Sequence, residues 1–287
     1  MRYDYLYSGS SGYESSNTGK DQDYGEPPRP DVLGPVNDEV VGILFDIKKE
    51  KDRYDNRTFK ENVLKIGQIY FDDLFESKRP SEEGEKKVYD NLLMAMELTV
   101  TGFYNHDIPK DAVRRLIFPN KYHLLECQSK PKSRHLSGGE NEVANFSESL
   151  LHYLKMLGVD TVTPIASGGF EPAILISDLL GAPSFLPLRY SSYGRSDTKV
   201  LYPPFVSDEK ISSMICDKNV IIIDDVVSSG KSAYKVANSL ETYEPNKIYF
   251  ACISYKEPGP VYGIFKEISS SKNHYLFEKA IVHQTPL

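Results

Sequence analysis

A pair of adjacent carboxylates followed by a turn of small residues is the part of the sequence best suited to chemistry. Residues 220–232 read Val-Ile-Ile-Ile-Asp-Asp-Val-Val-Ser-Ser-Gly-Lys-Ser. Asp224 and Asp225 supply oxygens that suit two neighbouring hydroxyls or a divalent cation. The turn at 228–232 precedes a helical pattern from Ala233 to about Tyr243, and backbone N–H groups at a helix N-terminus bind anions. The stretch therefore predicts a phosphate cradle beside an acid pair.

Two other interpretations of this stretch compete with that prediction. The Gly230-Lys231-Ser232 sequence suggests a P-loop, but that motif needs a glycine five residues before its final glycine. Asp225 stands at that position, and a carboxylate facing a triphosphate would repel it. The simpler interpretation is a buried strand that ends in a solvated acid pair and an ordinary helix start. It requires four features to coincide in one short window.

The elements around this stretch alternate between strand and helix patterns, which predicts an α/β fold with a parallel sheet and helices on both faces. The predicted elements are helices over 146–157 and 172–180 and strands over 160–165, 184–188 and 247–255. Ligands of such sheets bind beyond the carboxyl ends of the strands. A second glycine-bearing turn, Ala166-Ser167-Gly168-Gly169, falls at that same edge.

The N-terminal part has a different character. Residues 1–38 are rich in Ser, Gly, Tyr, Asp and Pro without apolar periodicity, which indicates a disordered tail. Apolar residues at helical spacing over 59–75 and 86–103 predict a mostly helical extension over 39–115. None of its residues is assigned to chemistry. The α/β domain is predicted to span 116–287.

The acid-pair stretch resembles the phosphoribosyl-diphosphate (PRPP) motif of type I phosphoribosyltransferases, an apolar strand followed by two acids and a Ser/Thr-Gly-x-Ser/Thr loop. The resemblance implies a Rossmann-like core of that type. It also implies that Asp224 and Asp225 are catalytic residues that hold the ribose hydroxyls and take part in binding Mg²⁺. The residues implied to cradle the 5-phosphate are Ser228, Ser229, Gly230, Lys231 and Ser232.

Two further segments resemble parts of the same family, nearest in layout to the hypoxanthine-guanine type. The Ala166–Gly169 turn is similar to the diphosphate loop, with Ser167, Gly168 and Gly169 as the implied binding residues. The 188–199 segment contains Ser192-Tyr193-Gly194 and resembles the mobile loop that closes over substrate. The cations implied to neutralise the leaving diphosphate are Arg189, Arg195 and Lys199.

The resemblance also implies a base pocket after the last predicted strand. Lys256 stands where the hypoxanthine-type enzymes place a base-selecting lysine, and Tyr262 or Phe265 could stack on a flat heterocycle. Ser228 replaces the aspartate that acts on the purine ring nitrogen in those enzymes. A serine cannot act as that general acid or base near neutral pH, so hypoxanthine and guanine are expected to react slowly or not at all.

Composition narrows the remaining classes. The net charge is −7, and five of those charges lie in residues 1–40, so the near-neutral body does not favour a nucleic-acid surface. Three isolated cysteines predict reduced thiols rather than disulfides or a metal cluster. No signal peptide or long apolar run is evident, which predicts a cytoplasmic protein without a membrane partner.

The expected activity is therefore Mg²⁺-dependent transfer of ribose 5-phosphate from PRPP to a small heterocyclic acceptor. Two alternatives stay open. One is a catalytically silent module that senses PRPP or nucleotides, and the other is a scaffold whose tyrosine-rich tail binds a partner. The acceptor and the oligomeric state, with a homodimer as one option, are not determined by the sequence.

Overall fold

The structure is a computed structural model, and it describes residues 37–49, 56–76, 83–127, 140–166, 168–181, 184–190, 199–227, 231–255, 263–265 and 279–282. Several predictions concern residues outside these ranges. They are the predicted tail up to residue 36, the loop residues 191–198 with Arg195, and the individual residues Ser167, Ser228, Ser229, Gly230, Lys256 and Tyr262.

The N-terminal part of the described chain is helical. Its elements are α1 (Asp38–Lys49), α2 (Asn56–Glu76), α3 (Glu83–Tyr104), α4 (Lys110–Ile117), a 3-10 turn (Phe118–Asn120) and α5 (Lys121–Leu125). Helices α2 and α3 confirm the two predicted helical patterns. The first helix begins at Asp38, inside the predicted tail, and α4 runs without interruption across position 115. The division of the chain at 115/116 therefore stays a prediction.

The remainder alternates as the sequence predicted. The elements are α6 (Glu140–Met156), β1 (Thr161–Ala166), α7 (Phe170–Leu179), β2 (Ser184–Phe185), β3 (Leu188–Arg189), α8 (Asp208–Ile215), β4 (Asn219–Val227), α9 (Lys231–Glu241), β5 (Lys247–Tyr255), β6 (Gly263–Phe265) and β7 (Lys279–Val282). The strand predicted over 184–188 is divided into β2 and β3. The short strands β6 and β7 were not predicted.

The strands form a mixed sheet in the order β2-β1-β4-β5-β6-β7, with β3 also paired to β1. Strands β1 to β5 pair in parallel, and β6 and β7 add antiparallel pairs at one edge. The parallel part confirms the predicted fold class. Because β1 and β4 are parallel neighbours, their carboxyl ends lie side by side at the same edge of the sheet.

Strand β4 is buried on both faces because helices cover the sheet on both sides. Its residues Val220 to Ile223 have no exposed surface. Side chains alternate along a strand, so Ile221 and Ile223 pack into one hydrophobic cluster while Val220 and Ile222 pack into the other. Such a strand reads as a continuous apolar run, which is why it could be recognised in the sequence.

The helical extension and the α7 side of the sheet share one core. Phe71 of α2 packs against Phe170 at the start of α7 with ring centroids 4.8 Å apart, and against Tyr89 of α3 at 5.0 Å. Helices α8 and α9 cover the opposite face. Among the described residues no helix is both long enough and apolar enough to cross a membrane.

Candidate PRPP-binding site

Asp224 and Asp225 lie inside the carboxyl-terminal part of β4. The sequence had predicted that they follow the end of the strand. The strand continues to Val227 and remains paired with β5. The Asp225 N–H donates to Oδ1 of Asp224 at 3.0 Å, and the Val226 N–H donates to Oδ1 of Asp225 at 2.7 Å. These bonds hold both carboxylates against the strand backbone, beside the end of β1.

The glycine turn packs directly on this acid pair through Gly168 and Gly169. A Cβ atom added to Gly168 would collide with the carboxylate of Asp225, and one added to Gly169 would collide with the Ile223 carbonyl oxygen. The Gly169 N–H donates to the Ile165 carbonyl at 3.0 Å, which folds the turn back on β1. Two segments that are distant in sequence therefore form one site, and glycine is required because no side chain fits between them.

The acid pair carries closely spaced negative charge. Burial raises the pKa of the Asp224 carboxyl well above its usual range, and the charge and side-chain hydrogen bond of Asp225 raise it further, while the backbone N–H of Asp225 lowers it. Cys252 is paired with Asp224 across β4 and β5. Burial, followed by the charges of the two aspartates, raises the pKa of its thiol to about 12. Hydroxyl donors or a bound cation would relieve this repulsion.

The predicted 5-phosphate segment is only partly described. Helix α9 begins at Lys231, two residues earlier than predicted, so the N–H groups of its first turn directly follow residues 228–230. Ser232 lies half-buried in the first turn. The described part thus supplies the helix N-terminus that an anion site needs, whereas the phosphate contacts of Ser228, Ser229, Gly230 and Lys231 stay predictions.

The placement of Arg189 in a polar loop was wrong. The residue lies in β3, which pairs with β1, and only 5% of its surface is exposed. Its Nε lies 2.9 Å from Oδ1 of Asp72 on α2, and its Nη1 donates to the Ala166 carbonyl at 3.0 Å. Arg189 is thus a buried group that contacts the start of the glycine turn at Ala166. Strand pairing and the ion pair with Asp72 remove it from solvent. Lys199 is exposed at the far end of the loop.

Sequence reasoning missed a second buried ion pair next to the site. Glu171, in the first turn of α7, accepts a hydrogen bond from Lys60 Nζ at 2.6 Å and one from the Tyr104 hydroxyl at 3.1 Å. Lys60 and Glu171 are each about 1% exposed. The sequence offers one signal for these contacts, a lysine and an acidic residue within otherwise apolar helix patterns, but it does not show which residue each one meets.

The base pocket remains a prediction. Strand β5 ends at Tyr255, immediately before Lys256, and β6 ends at Phe265. Both strand ends are therefore placed, but the side chains proposed to frame a heterocycle are outside the described set. The described residues contain no group of three or more His, Cys, Asp or Glu that could hold a metal by themselves. Asp224 and Asp225 are of the ligand type that Mg²⁺ takes, since it binds through one or two carboxylates and completes its shell with substrate phosphates and water.

The glycine turn, the acid pair and the parallel sheet identify the class of protein. Residues 138–277 match the model of the phosphoribosyl transferase domain. The chain thus contains a phosphoribosyl transferase domain of the type I kind over these residues, and a helical region precedes it.

Proteins similar to this chain carry different names. The chain is 26% identical over 177 residues to the transcriptional regulator GfcR of Methanococcus maripaludis, covering 55% of this chain and 83% of the relative. A purine phosphoribosyltransferase from Pyrococcus horikoshii is 25% identical with a TM-score of 0.36, over 41% of this chain and 75% of that one. A hypoxanthine-guanine phosphoribosyltransferase from Bacillus anthracis is 19% identical with a TM-score of 0.34, over 41% and 68%. TM-scores this low indicate neither a substrate nor a mechanism.

Proposed function

We propose that the protein is an Mg²⁺-dependent phosphoribosyltransferase that moves the ribose 5-phosphate of PRPP to a nitrogen of a nucleobase-like acceptor and releases diphosphate. The observation that carries this proposal is the packing of Gly168 against the carboxylate of Asp225. It joins a turn that lets backbone N–H groups approach an anion with an acid pair suited to a sugar diol. The N-terminus of α9 follows the end of β4 after three residues.

Each part of the site takes one part of PRPP. Asp224 and Asp225 accept hydrogen bonds from the ribose 2- and 3-hydroxyls. The 228–232 segment and the N-terminus of α9 hold the 5-phosphate, and the glycine turn holds the diphosphate. Asp224 and Asp225 would help to hold Mg²⁺, which would offset the negative charge of the diphosphate.

The chemistry asks mainly for positioning. The bond from C1 of ribose to the diphosphate oxygen breaks, the diphosphate leaves with the electron pair, and the acceptor nitrogen forms the new bond to C1. The carboxylates fix the ribose ring, and the anion-binding segments fix both phosphate ends so that C1 faces the acceptor. Closely placed donors at the diphosphate stabilise the charge that develops on it. Lys256 and Tyr262 are proposed to hold a flat heterocycle with a carbonyl group.

A second function is favoured by a separate observation. A relative that aligns over 55% of this chain is named a transcriptional regulator, and Ser228 replaces an aspartate used by the hypoxanthine-type enzymes. A site that binds PRPP or a nucleotide without turnover would serve a regulatory protein. The two proposals share the binding site and differ in whether diphosphate is released.

One experiment separates them. The protein is incubated with PRPP, Mg²⁺ and single nucleobases while diphosphate release is followed, and PRPP binding is measured by calorimetry on the same preparation. Release that depends on one base, and that is lost in Asp224→Asn/Asp225→Asn, supports the transferase. Tight PRPP binding without release for any base supports the regulatory function. Absence of PRPP binding contradicts both.

A further inference from the structure

Helix α2 reaches both ends of the glycine turn through buried ion pairs. Before the turn, Arg189 donates to the Ala166 carbonyl and pairs with Asp72 at 2.9 Å. After the turn, Glu171 pairs with Lys60 at 2.6 Å. The four charged side chains are at most 6% exposed. Ala166 and Glu171, on the two sides of the turn, are thus both linked to helix α2 of the N-terminal extension. Glu171 is linked directly, and Ala166 is linked through Arg189.

Buried ion pairs constrain geometry strongly. Removing a charge from water is costly, so each member of such a pair must keep its partner at hydrogen-bonding distance. Lys60 also lies 4.1 Å from the centroid of the Phe103 ring, and the Tyr104 hydroxyl donates to the same Glu171 oxygen. Any displacement of Glu171 would therefore break contacts with both α2 and α3.

The charge of Glu171 has a consequence for anion binding. It stands in the first turn of α7, immediately after the glycine turn, where helix N–H groups would bind diphosphate. An unpaired carboxylate at this point would repel the ligand. Lys60 holds the opposite charge against it in a buried setting, where electrostatic interactions are little screened.

We infer that α2 positions the glycine turn for diphosphate, with Lys60 and Asp72 as positioning residues that act through Glu171 and Arg189. The two residues are separated by about three turns of one helix, so a rigid element sets the distance between the two ends of the turn. The inference rests on the proposed function in taking PRPP as the ligand.

The test compares PRPP with ribose 5-phosphate, which lacks the diphosphate. Calorimetry with Mg²⁺ is carried out on Lys60→Met and Asp72→Asn in the full chain. The expected loss is about tenfold in PRPP affinity, with ribose 5-phosphate affinity within about twofold of the wild type. Equal losses for both ligands, or no loss for either, would overturn the inference.

The control removes a different ion pair from the same helix. Lys65 pairs with Glu39 at 2.5 Å, but both side chains are about 40% exposed. Lys65→Met should leave both affinities within about twofold of the wild type, because exposed pairs contribute little. A tenfold loss of PRPP affinity in this control would show that any damage to α2 weakens binding, and the inference would then be wrong.

A double variant covers the case in which Lys60→Met does not fold. Lys60→Met/Glu171→Gln removes both charges, and replacing a buried pair by neutral groups often preserves stability. The tie to α2 is still lost, so PRPP affinity is expected to remain about tenfold reduced. Wild-type affinity in the double variant would mean that the pair only balances charge, and it would overturn the positioning role.

Hydrogen exchange gives a readout without ligand. The Gly169 N–H is bonded to the Ile165 carbonyl at 3.0 Å. Exchange over 166–171 should be faster in Lys60→Met/Glu171→Gln than in the wild type, with α9 unchanged as the internal reference. If the wild type binds neither ligand, the proposed function fails while exchange still tests the inference. Unchanged exchange over 166–171 would overturn it.

Discussion

At the scale of single residues, the position of the acid pair lowers the stability of the folded protein. Asp224 is held next to Asp225 by a backbone hydrogen bond, and both burial and the neighbouring charge disfavour its ionised form. A protein built only for stability would not place two carboxylates at the end of an apolar strand. The arrangement is explained if the hydroxyls or the cation of a ligand relieve the repulsion.

Replacing both carboxylates should abolish tight binding of PRPP. Asp224→Asn/Asp225→Asn loses charge-assisted hydrogen bonds to ribose, worth about 1.5–3 kcal/mol each. Calorimetry with Mg²⁺ should show an affinity lower by two orders of magnitude or more, which is about 3 kcal/mol. Asp208→Asn, on the exposed start of α8, serves as the control. Unchanged PRPP affinity in the folded double variant would contradict the assignment.

The same site should make the ligand-free protein less stable as the pH rises. A carboxyl whose folded pKa lies above its unfolded value contributes stability that is complete below the unfolded pKa and is lost as the pH rises through the folded pKa. Asp224 is such a group. Asp224→Asn should therefore have a higher Tm than the wild type without ligand, with a larger difference at pH 8 than at pH 5. A lower Tm of the variant at pH 8 would refute this.

At the scale of elements, the site depends on the close approach of the glycine turn to the carboxyl end of β4 at one edge of the sheet. Strands β1 and β4 are neighbours, so the glycine turn after β1 meets the acid pair of β4. Helix α2 then fixes the residues on both sides of that turn. The extension thus helps to position the glycine turn through these ion pairs, although none of its residues is assigned to contact the ligand.

Adding one methyl group at this junction should be damaging. Gly168→Ala would force its Cβ against the carboxylate of Asp225, with an expected loss of about 1–3 kcal/mol in the free energy of unfolding. The matched control is Gly42→Ala on α1, where a Cβ meets no atom within 4 Å. That change should stabilise the helix by up to about 1 kcal/mol. Urea unfolding of both variants checks the pair, and equal effects would contradict the packing.

At the scale of the whole molecule, the helical extension and the family domain form one core. Phe71 of α2 and Phe170 of α7 lie within the same hydrophobic cluster as Ile221 and Ile223 of β4. Without the extension, the α7 side of the sheet would expose a large apolar surface.

A fragment restricted to the matched family domain should therefore not fold normally. Residues 138–277 lack α1 to α5 and with them the groups that pair with Glu171 and Arg189. An unpaired buried charge alone destabilises by about 3–5 kcal/mol. We expect the fragment to bind a hydrophobic dye and to lack a cooperative thermal transition. The full chain, measured in the same way, is the reference for dye binding and for the transition. A cooperative transition near that of the full chain would show that the domain is independent.

The sequence by itself determined the elements whose signals are local. The apolar run of β4, its acid pair and the following helix lie within 22 consecutive positions, from 220 to 241, and their order was sufficient to predict the parallel sheet and the family. Helices α2 and α3 of the extension could also be predicted, because the spacing of their apolar residues reflects which face each helix buries.

Only the tertiary structure decided which distant residues meet. Arg189 stands in a polar stretch of sequence, but strand pairing with β1 and the ion pair with Asp72 bury it. Lys60 and Glu171 are 111 residues apart and share one buried contact. A local pattern records whether a side chain faces the core, but the identity of its partner follows from how whole elements pack. For that reason the sequence assigned no chemistry to the helical extension, whereas the fold joins it to the glycine turn through two buried ion pairs.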